Sequence, residues 1–183
     1  MTALELLLKR FSNPNLTEPA PSGLVLENIL DAAMAVPDHG ALAPFDIKVI
    51  RGDGLHRLTE SFVQATRATT QDTVKIEKAA KMAFRAPMII VVSTRYQQHP
   101  KVPHHEQLIT AGCALHAMQM ACVAQGYQGM WRTGDFATYP EVKEALGVKE
   151  CDQIAGFLYV GSSAREIPEK RRKDFEQRVT IWE

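Results

Sequence analysis

The chain has 183 residues, 45% of them hydrophobic and 23% charged, which is typical of a folded globular domain that buries its own core. Its 21 basic residues balance its 21 acidic residues, so the formal net charge is zero. This balance argues against a dominant nucleic-acid or anionic-membrane surface, because both partners require a strongly positive face.

The sequence also bears on the compartment of the protein. Residues 1–5 lack the basic start and apolar stretch of a secretory signal. The longest apolar run, residues 86–92, is far too short to span a bilayer, which takes about 20 residues. Three cysteines, an odd number without CxxC spacing, argue against a disulfide framework. We therefore expect a cytoplasmic protein with a single domain over residues 1–183.

In chain order, apolar residues at helical spacing predict six helices. The first begins with a capping box at residues 2–5 and ends near residue 10. The next four are predicted over residues 22–36, 54–68, 72–84 and 105–125. A second capping box, at residues 138–141, begins a last helix that Gly147 ends.

Alternating or β-branched runs predict strands over residues 45–50, 87–92, 153–160 and 178–182. The second run is apolar on both faces, as in a central strand, and the fourth has the pattern of an edge strand. A charged stretch, residues 165–173, precedes that edge strand. We predict an α+β fold with helices on both faces of a sheet of four to five strands.

The helix predicted over residues 105–125 is apolar nearly all round, so it must be buried in the domain or in a subunit interface. Small residues would let another backbone approach it closely, namely Ala111, Gly112, Ala114, Ala117 and Ala121. Together with the edge-like terminal strand, this helix predicts a dimer.

Several common catalytic motifs are missing. The chain has no GxGxxG after a strand, no GxxxxGK[ST], no GxSxG and no HExxH. Their absence argues against a Rossmann dehydrogenase, a kinase-like NTPase and a serine hydrolase.

A group of potential metal ligands lies in and before the long helix, comprising His99, His104, His105, Glu106, Cys113 and His116. Adjacent His105 and Glu106 point to different helix faces and cannot close on one zinc by themselves, whereas Cys113 and His116 could share a face. A zinc site is therefore one alternative. Because structural zinc sites usually supply clearer ligand pairs, we favour core or interface positions for Cys113 and His116, and expect no metal.

Arg10 and Ser12, at the end of the first predicted helix, allow two interpretations. The arginine could be a surface residue beside a helix C-terminus, where cations are favoured. Alternatively, the guanidinium and the hydroxyl bind a phosphate, to which arginine donates paired hydrogen bonds. Taken alone, the pair favours the first interpretation.

Two loop-like segments could border a ligand. Residues 126–134 hold three glycines in nine positions, which indicates a tight turn that brings backbone close to a ligand or another chain. Trp131 alone would be a core residue, but with Arg132 and Thr133 it suits a flat heteroaromatic ligand. Residues 37–45, bracketed by prolines, form either a rigid connector or a pocket wall with His39 as its polar tip.

In this order and spacing, these segments resemble the nitroreductase family. The matching pieces are residues 10–12, residues 35–39 leading to 44–45, and residues 129–134, with residues 154–161 similar to the family's late core strand. The likeness runs from about residue 4 to residue 161 and is closest to the short, single-domain bacterial members.

The resemblance implies a nitroreductase-like fold, with a central, mainly antiparallel sheet flanked by helices. It also implies an obligate homodimer with one FMN at each of two interface sites. Arg10 and Ser12 would hold the FMN phosphate, a backbone amide near residues 131–133 would face N5, and His39 would come from the partner subunit. The residues assigned to FMN in this way are Arg10, Phe11, Ser12, Ala35, His39, Trp131, Arg132 and Thr133. By a weaker likeness, NAD(P)H would bind at Ala121, Cys122, Val123, Ala124, Gln125 and Gly126.

The implied reaction is reduction of nitroaromatic, quinone or similar acceptors by NAD(P)H in a ping-pong hydride transfer. Because the flavin N5 accepts the hydride, no side chain need act as nucleophile or acid, which agrees with the missing motifs. A cation such as Arg132 would stabilise the negative charge of the reduced ring.

The sequence departs from the family at three positions. Phe11, Ala35 and Gly40 stand where relatives commonly carry basic or, for the third, polar residues. A charge-assisted hydrogen bond to phosphate is worth about 1.5–3 kcal/mol, so weaker FMN binding is expected. The alternative function is a flavin-binding protein of this family with little or no turnover.

Overall fold

The computed structural model describes residues 1–163, 165 and 174–183. Most of the charged stretch 165–173 therefore lies outside the described residues. Five strands form the sheet, and all their pairings are antiparallel. They are β1 (Leu16–Thr17), β2 (Phe45–Arg51), β3 (Met88–Thr94), β4 (Gln128–Arg132) and β5 (Ile154–Ser163). The predicted α+β class and the sheet of four to five strands are confirmed.

The sheet is organised around β5. Strand β5 pairs with β3, which in turn pairs with β2, and β5 also pairs with β4 and with β1. Every residue of β3 is buried, as the run of β-branched side chains in the sequence predicted for a central strand.

Helices cover both faces of the sheet. They are α1 (Ala3–Lys9), α2 (Gly23–Met34), α3 (Asp53–Thr69), α4 (Thr73–Met82), α5 (His104–Ala124) and α6 (Pro140–Ala145). Because side chains of a strand alternate between faces, Ile89, Phe157 and Tyr159 pack with α3, α4 and α6. Ile90 and Leu158 pack with α2 and α5 on the other face. Two separate hydrophobic clusters result, one on each face.

The predicted capping box begins α1. Thr2 Oγ1 accepts a hydrogen bond from the Glu5 amide at 3.2 Å, and Glu5 Oε2 accepts one from the Thr2 amide at 2.8 Å. These bonds hold the pKa of the exposed Glu5 carboxyl below its ordinary value. None of the α1 residues is buried, and Leu4, Leu7 and Leu8 remain exposed although α1 packs on α5.

Helix α5 is long and apolar enough, by length and composition alone, to cross a membrane, but half of that window is buried inside the protein. Its buried side includes Ala111, Ala114, Leu115 and Met118, which lie against the sheet. The prediction of a buried long helix is thus confirmed for this side.

The predicted edge strand over residues 178–182 is wrong. A short 3₁₀ turn covers Glu176–Arg178, the residues after it form no strand, and Trp182 is 93% exposed. An alternating pattern forms a strand only when a partner strand lies beside it, and residues 179–183 pair with no strand of the described chain.

Two further local predictions are wrong. The Thr138 hydroxyl donates to the Asp135 carbonyl at 2.8 Å and does not cap α6. Tyr139 is the N-cap instead, since Pro140 occupies the first helical turn, where its fixed φ fits. The glycine-rich segment has the predicted turn only at its start, at Gln125–Gly126, and is otherwise largely strand β4, because its backbone pairs with β5 from Gln128 to Arg132.

Candidate functional site

A cavity of about 520 Å³ opens beside α5 and the end of β4. Its walls come from the end of α1, from α5 and from β4, and are formed by Arg10, Ser12, His116, Gln119, Trp131 and Thr133. Four of these six residues are those that the sequence singled out at residues 10–12 and 131–133. The fold therefore brings together two segments that lie about 120 residues apart.

One end of the cavity is polar. Arg10 ends α1, and its Nη1 donates a hydrogen bond to Ser12 Oγ at 3.0 Å. Ser12 in turn forms a parallel bridge with Gly129, which anchors this segment beside β4. Within residues 1–163, 165 and 174–183, Arg10 forms no ion pair. Since a guanidinium has five N–H donors, donors remain for an anion here.

Trp131 forms the aromatic wall. Its indole Nε1 donates to the Ala155 carbonyl at 3.3 Å. A Cβ on Gly156 would overlap the indole ring, and one on Gly112 would lie 3.6 Å from it in ordinary contact. Gly156 therefore leaves space that the large ring occupies, whereas a side chain at residue 112 would fit beside it.

Gln119 is a site residue that the sequence reasoning missed. It lies on α5, is 3% exposed, and donates from Nε2 to the Gly129 carbonyl at 2.8 Å. A polar amide inside an otherwise apolar helix must find a partner when buried, and this was the available signal. His116 is not a core residue, because it is exposed in the single protomer and lines the cavity, whereas its interface position stays a prediction.

Arg132 and Trp131 point to opposite faces of β4, as consecutive strand residues must. The Arg132 guanidinium lies 5.5 Å from the Tyr159 ring centre, on the α3 side of the sheet. It does not line the cavity beside α5. The cation expected beside a reduced ring is thus turned away from this cavity, whereas Thr133, just past the strand, reaches it.

The remaining residues assigned to FMN are not brought to this cavity within one protomer. Phe11 is half-buried, and Ala35 is exposed at the end of α2. The His39 Nδ1 lies 2.7 Å from Glu106 Oε2 near the start of α5. Glu106 precedes His116 by ten residues, about 15 Å along the helix axis.

Residues 121–126, assigned to NAD(P)H, form the C-terminal end of α5 and also lie outside the cavity. Gln125 ties this end to α2, because its Nε2 donates to the Val25 carbonyl at 3.2 Å and its Oε1 accepts from Asn28 at 3.0 Å. Gly126 has φ +87°, a left-handed conformation common just after a helix. Buried Cys122 has its pKa raised to about 12 by desolvation.

Histidine, cysteine and carboxylate side chains do not gather into a metal-binding group of three or more within the part of the chain that the structure describes. His39 and Glu106 form a pair only. Tyr96 stacks on His104 with ring centres 4.2 Å apart, which gives that histidine an aromatic neighbour.

Comparisons with known proteins agree with the geometry. The model of the nitroreductase family matches residues 8–162. "Putative NAD(P)H nitroreductase YdjA" of Escherichia coli K12 is 48% identical over 162 residues, covering 88% of each chain. A nitroreductase-like protein of Bacillus cereus shares the fold with a TM-score of 0.87 at 20% identity, covering 100% of this chain and 97% of that one. A nitroreductase of Bacteroides fragilis, solved with bound FMN, has a TM-score of 0.74 at 22% identity over 98% of both chains. The chain belongs to the nitroreductase family.

Proposed function

We propose that the protein is an FMN-dependent NAD(P)H oxidoreductase that reduces nitroaromatic, quinone or similar acceptors. The observation that carries this proposal is the cavity beside α5, where the Arg10–Ser12 pair and the Trp131 wall line one space. A cation with free donors suits a phosphate, and an aromatic wall suits a flat ring. The bound FMN of the Bacteroides fragilis protein supports the choice of cofactor.

Each wall has a defined task in this proposal. Bound FMN would supply the redox chemistry, taking hydride from NAD(P)H and passing it to the acceptor in a ping-pong cycle. Arg10 and Ser12 would hold its phosphate, and Trp131 with Thr133 would border its ring. Gln119 keeps β4 at a set distance from α5 through its bond to the Gly129 carbonyl. Since the guanidinium of Arg132 faces the other side, Arg132 would contribute through its backbone.

We also propose a homodimer with FMN at its interface. Leu4, Leu7 and Leu8 of α1 are 65%, 56% and 42% exposed, and Ile109 of α5 is 62% exposed. An apolar surface of this kind next to the open cavity is typical of a subunit interface. His39 of the partner subunit would complete the site. The C-terminal end of α5 remains our assignment for NAD(P)H, and the cytoplasm our assignment for the compartment.

The assembly is tested by sedimentation at micromolar concentration. The expected result is a dimer, because exposed leucines on α1 would gain burial there. Leu4→Lys combined with Leu8→Lys should shift the population towards monomer and weaken FMN binding at the same time. A wild-type monomer that binds FMN with full affinity would contradict the shared site.

The cofactor site is tested by titrating FMN into Arg10→Ala, with the neighbouring Lys9→Ala as the matched control. Losing the guanidinium should weaken FMN binding about 10- to 100-fold, since a charge-assisted bond is worth about 1.5–3 kcal/mol. Lys9 is exposed and bonds only Glu5 at 3.5 Å, so its removal should leave the affinity unchanged. Equal affinities in both variants would place the phosphate elsewhere.

The alternative, a flavin-binding protein with little turnover, is motivated by Phe11, Ala35 and Gly40 in place of basic or polar residues. Anaerobic addition of NADH or NADPH to the FMN-loaded protein separates the two functions. Bleaching of the flavin absorbance, followed by recovery with a nitroaromatic, supports the reductase. Saturable FMN binding without bleaching by either nicotinamide would favour the alternative.

A further inference from the structure

A second cavity, of about 240 Å³, lies on the opposite face of β4 from the proposed cofactor site. Its walls are mostly aromatic and apolar, with Phe62, Met82, Phe136, Phe157 and Tyr159 among them. The rings of Phe62 and Phe136 stack with centres 4.1 Å apart, and Phe157 meets Phe62 edge-on at 5.6 Å. These contacts give the cavity rigid, flat walls suited to a ring.

The polar side of this cavity is the guanidinium of Arg132. Its Nε is buried and has no hydrogen-bond partner among the residues that the structure describes. A buried donor of a charged group without a partner costs more than an ordinary lost hydrogen bond. The walls of the cavity include no carboxylate. Within the described chain, no wall residue therefore supplies a negative charge to the Arg132 guanidinium.

Two neighbours define the charge around Arg132. Burial lowers the pKa of Arg132, and the nearby positive charge of Arg85 lowers it further, so two cations share the region. The Tyr159 ring lies under the Arg132 guanidinium, and its aromatic face compensates part of the positive charge, as aromatic faces do for cations. Burial raises the pKa of Tyr159 to about 12, so its hydroxyl stays neutral near pH 7 and supplies no counter-charge.

We propose that this cavity binds a small aromatic carboxylate, with the carboxylate on Arg132 and the ring against the walls that Phe62, Phe136 and Tyr159 form. The planar guanidinium fork matches the two oxygens of a carboxylate. The volume is less than half that of the cavity beside α5, which favours a small ligand over a nucleotide. Apolar walls in place of further donors also favour a monoanion with a ring over free phosphate.

The site is distinct from the proposed cofactor site but adjoins it. Trp131 and Arg132 point to opposite faces of β4, and Thr133, just past the end of the strand, lines both cavities. A ligand here would therefore lie behind the cofactor wall, and would not compete with FMN.

The test is calorimetric titration of the full-length protein with benzoate, with and without added FMN. We expect one saturable site whose affinity is the same in both conditions, and at least about tenfold weaker binding of uncharged benzamide. Arg132→Gln should weaken benzoate binding about tenfold or more, while Arg67→Gln, an exposed arginine at the end of α3 outside the walls, should not change it.

Three results would overturn the proposal, namely no saturable benzoate binding, equal binding by wild type and Arg132→Gln, and loss of benzoate affinity on adding FMN. The last would assign the cavity to the cofactor. Should Arg132→Gln fail to fold by circular dichroism, Arg85→Gln takes its place, since Arg85 is exposed. It should weaken benzoate binding severalfold while benzamide binding stays constant; an unchanged benzoate affinity would equally reject the site.

Discussion

The two faces of β4 differ in whether their polar side chains have hydrogen-bond partners within the protein. On the α5 face the polar groups are paired within the protein, since Trp131 bonds the Ala155 carbonyl, Gln119 bonds the Gly129 carbonyl, and Arg10 bonds Ser12. On the α3 face Arg132 has a buried Nε without a partner among the described residues. A face whose polar groups are already hydrogen-bonded can bind a ligand with little rearrangement. A buried cation without a partner, in contrast, requires an anionic ligand to supply one.

Alkaline unfolding compares the two faces directly, because each buries one weak acid. Burial raises the pKa of Cys122, on the α5 side, from its ordinary value of 9.0 to about 12, and that of Tyr159, on the α3 side, from 10.0 to about 12. Both groups favour the neutral form in the folded state. Their stabilisation is therefore complete below the unfolded-state pKa and is lost as the pH rises towards 12.

The free energy of unfolding should accordingly fall by a few kcal/mol between about pH 9 and pH 12. Urea denaturation across this range measures the decline. Cys122→Ala should remove the part of this decline that begins near pH 9. Tyr159→Phe should remove the part of the decline that begins near pH 10. A profile that neither variant alters would show that these two groups are not the buried acids responsible.

Gly156→Ala perturbs the packing on the α5 face of β4 alone. A Cβ here would overlap the Trp131 indole, so we expect a loss of about 1–3 kcal/mol in stability, as for other overpacked sites. FMN affinity should fall as well. The matched control is Gly112→Ala, whose Cβ would meet the same ring at an ordinary 3.6 Å. Equal effects of the two substitutions on unfolding and FMN titration would contradict the assigned role of the Trp131 position.

The smallest expected effect comes from Gln119→Met, which keeps the side-chain volume but removes the bond to the Gly129 carbonyl. About 1 kcal/mol of stability should be lost, together with a measurable loss of FMN affinity. Gln125→Met removes the bonds that Gln125 makes to the Val25 carbonyl and accepts from Asn28 at the C-terminal end of α5. It should lower stability by a similar amount and leave FMN affinity unchanged. Identical FMN affinities for both variants would show that Gln119 does not contribute to FMN binding.

Much of the secondary structure could be predicted because it depends on local pattern. The capping box at Thr2 and Glu5 defines the start of α1, and the β-branched run of β3 predicts burial on both faces. The glycines around β4 misled the local interpretation. A glycine allows a turn but does not require one, and here Gly129 pairs in a strand beside Val160.

The amino-acid sequence alone identified the residue types of two segments, namely a candidate phosphate-binding pair, Arg10 and Ser12, and an aromatic–basic run at residues 131–133. That Trp131 and Arg132 line different cavities follows from the assembled fold, since the pairing of β4 with β5 sets which face each side chain meets. The fold likewise brought Gln119 and His116 to the site, because their neighbours come from segments far apart in the chain. Pairing register and long-range packing are properties of the assembled fold, and no local window of sequence contains them.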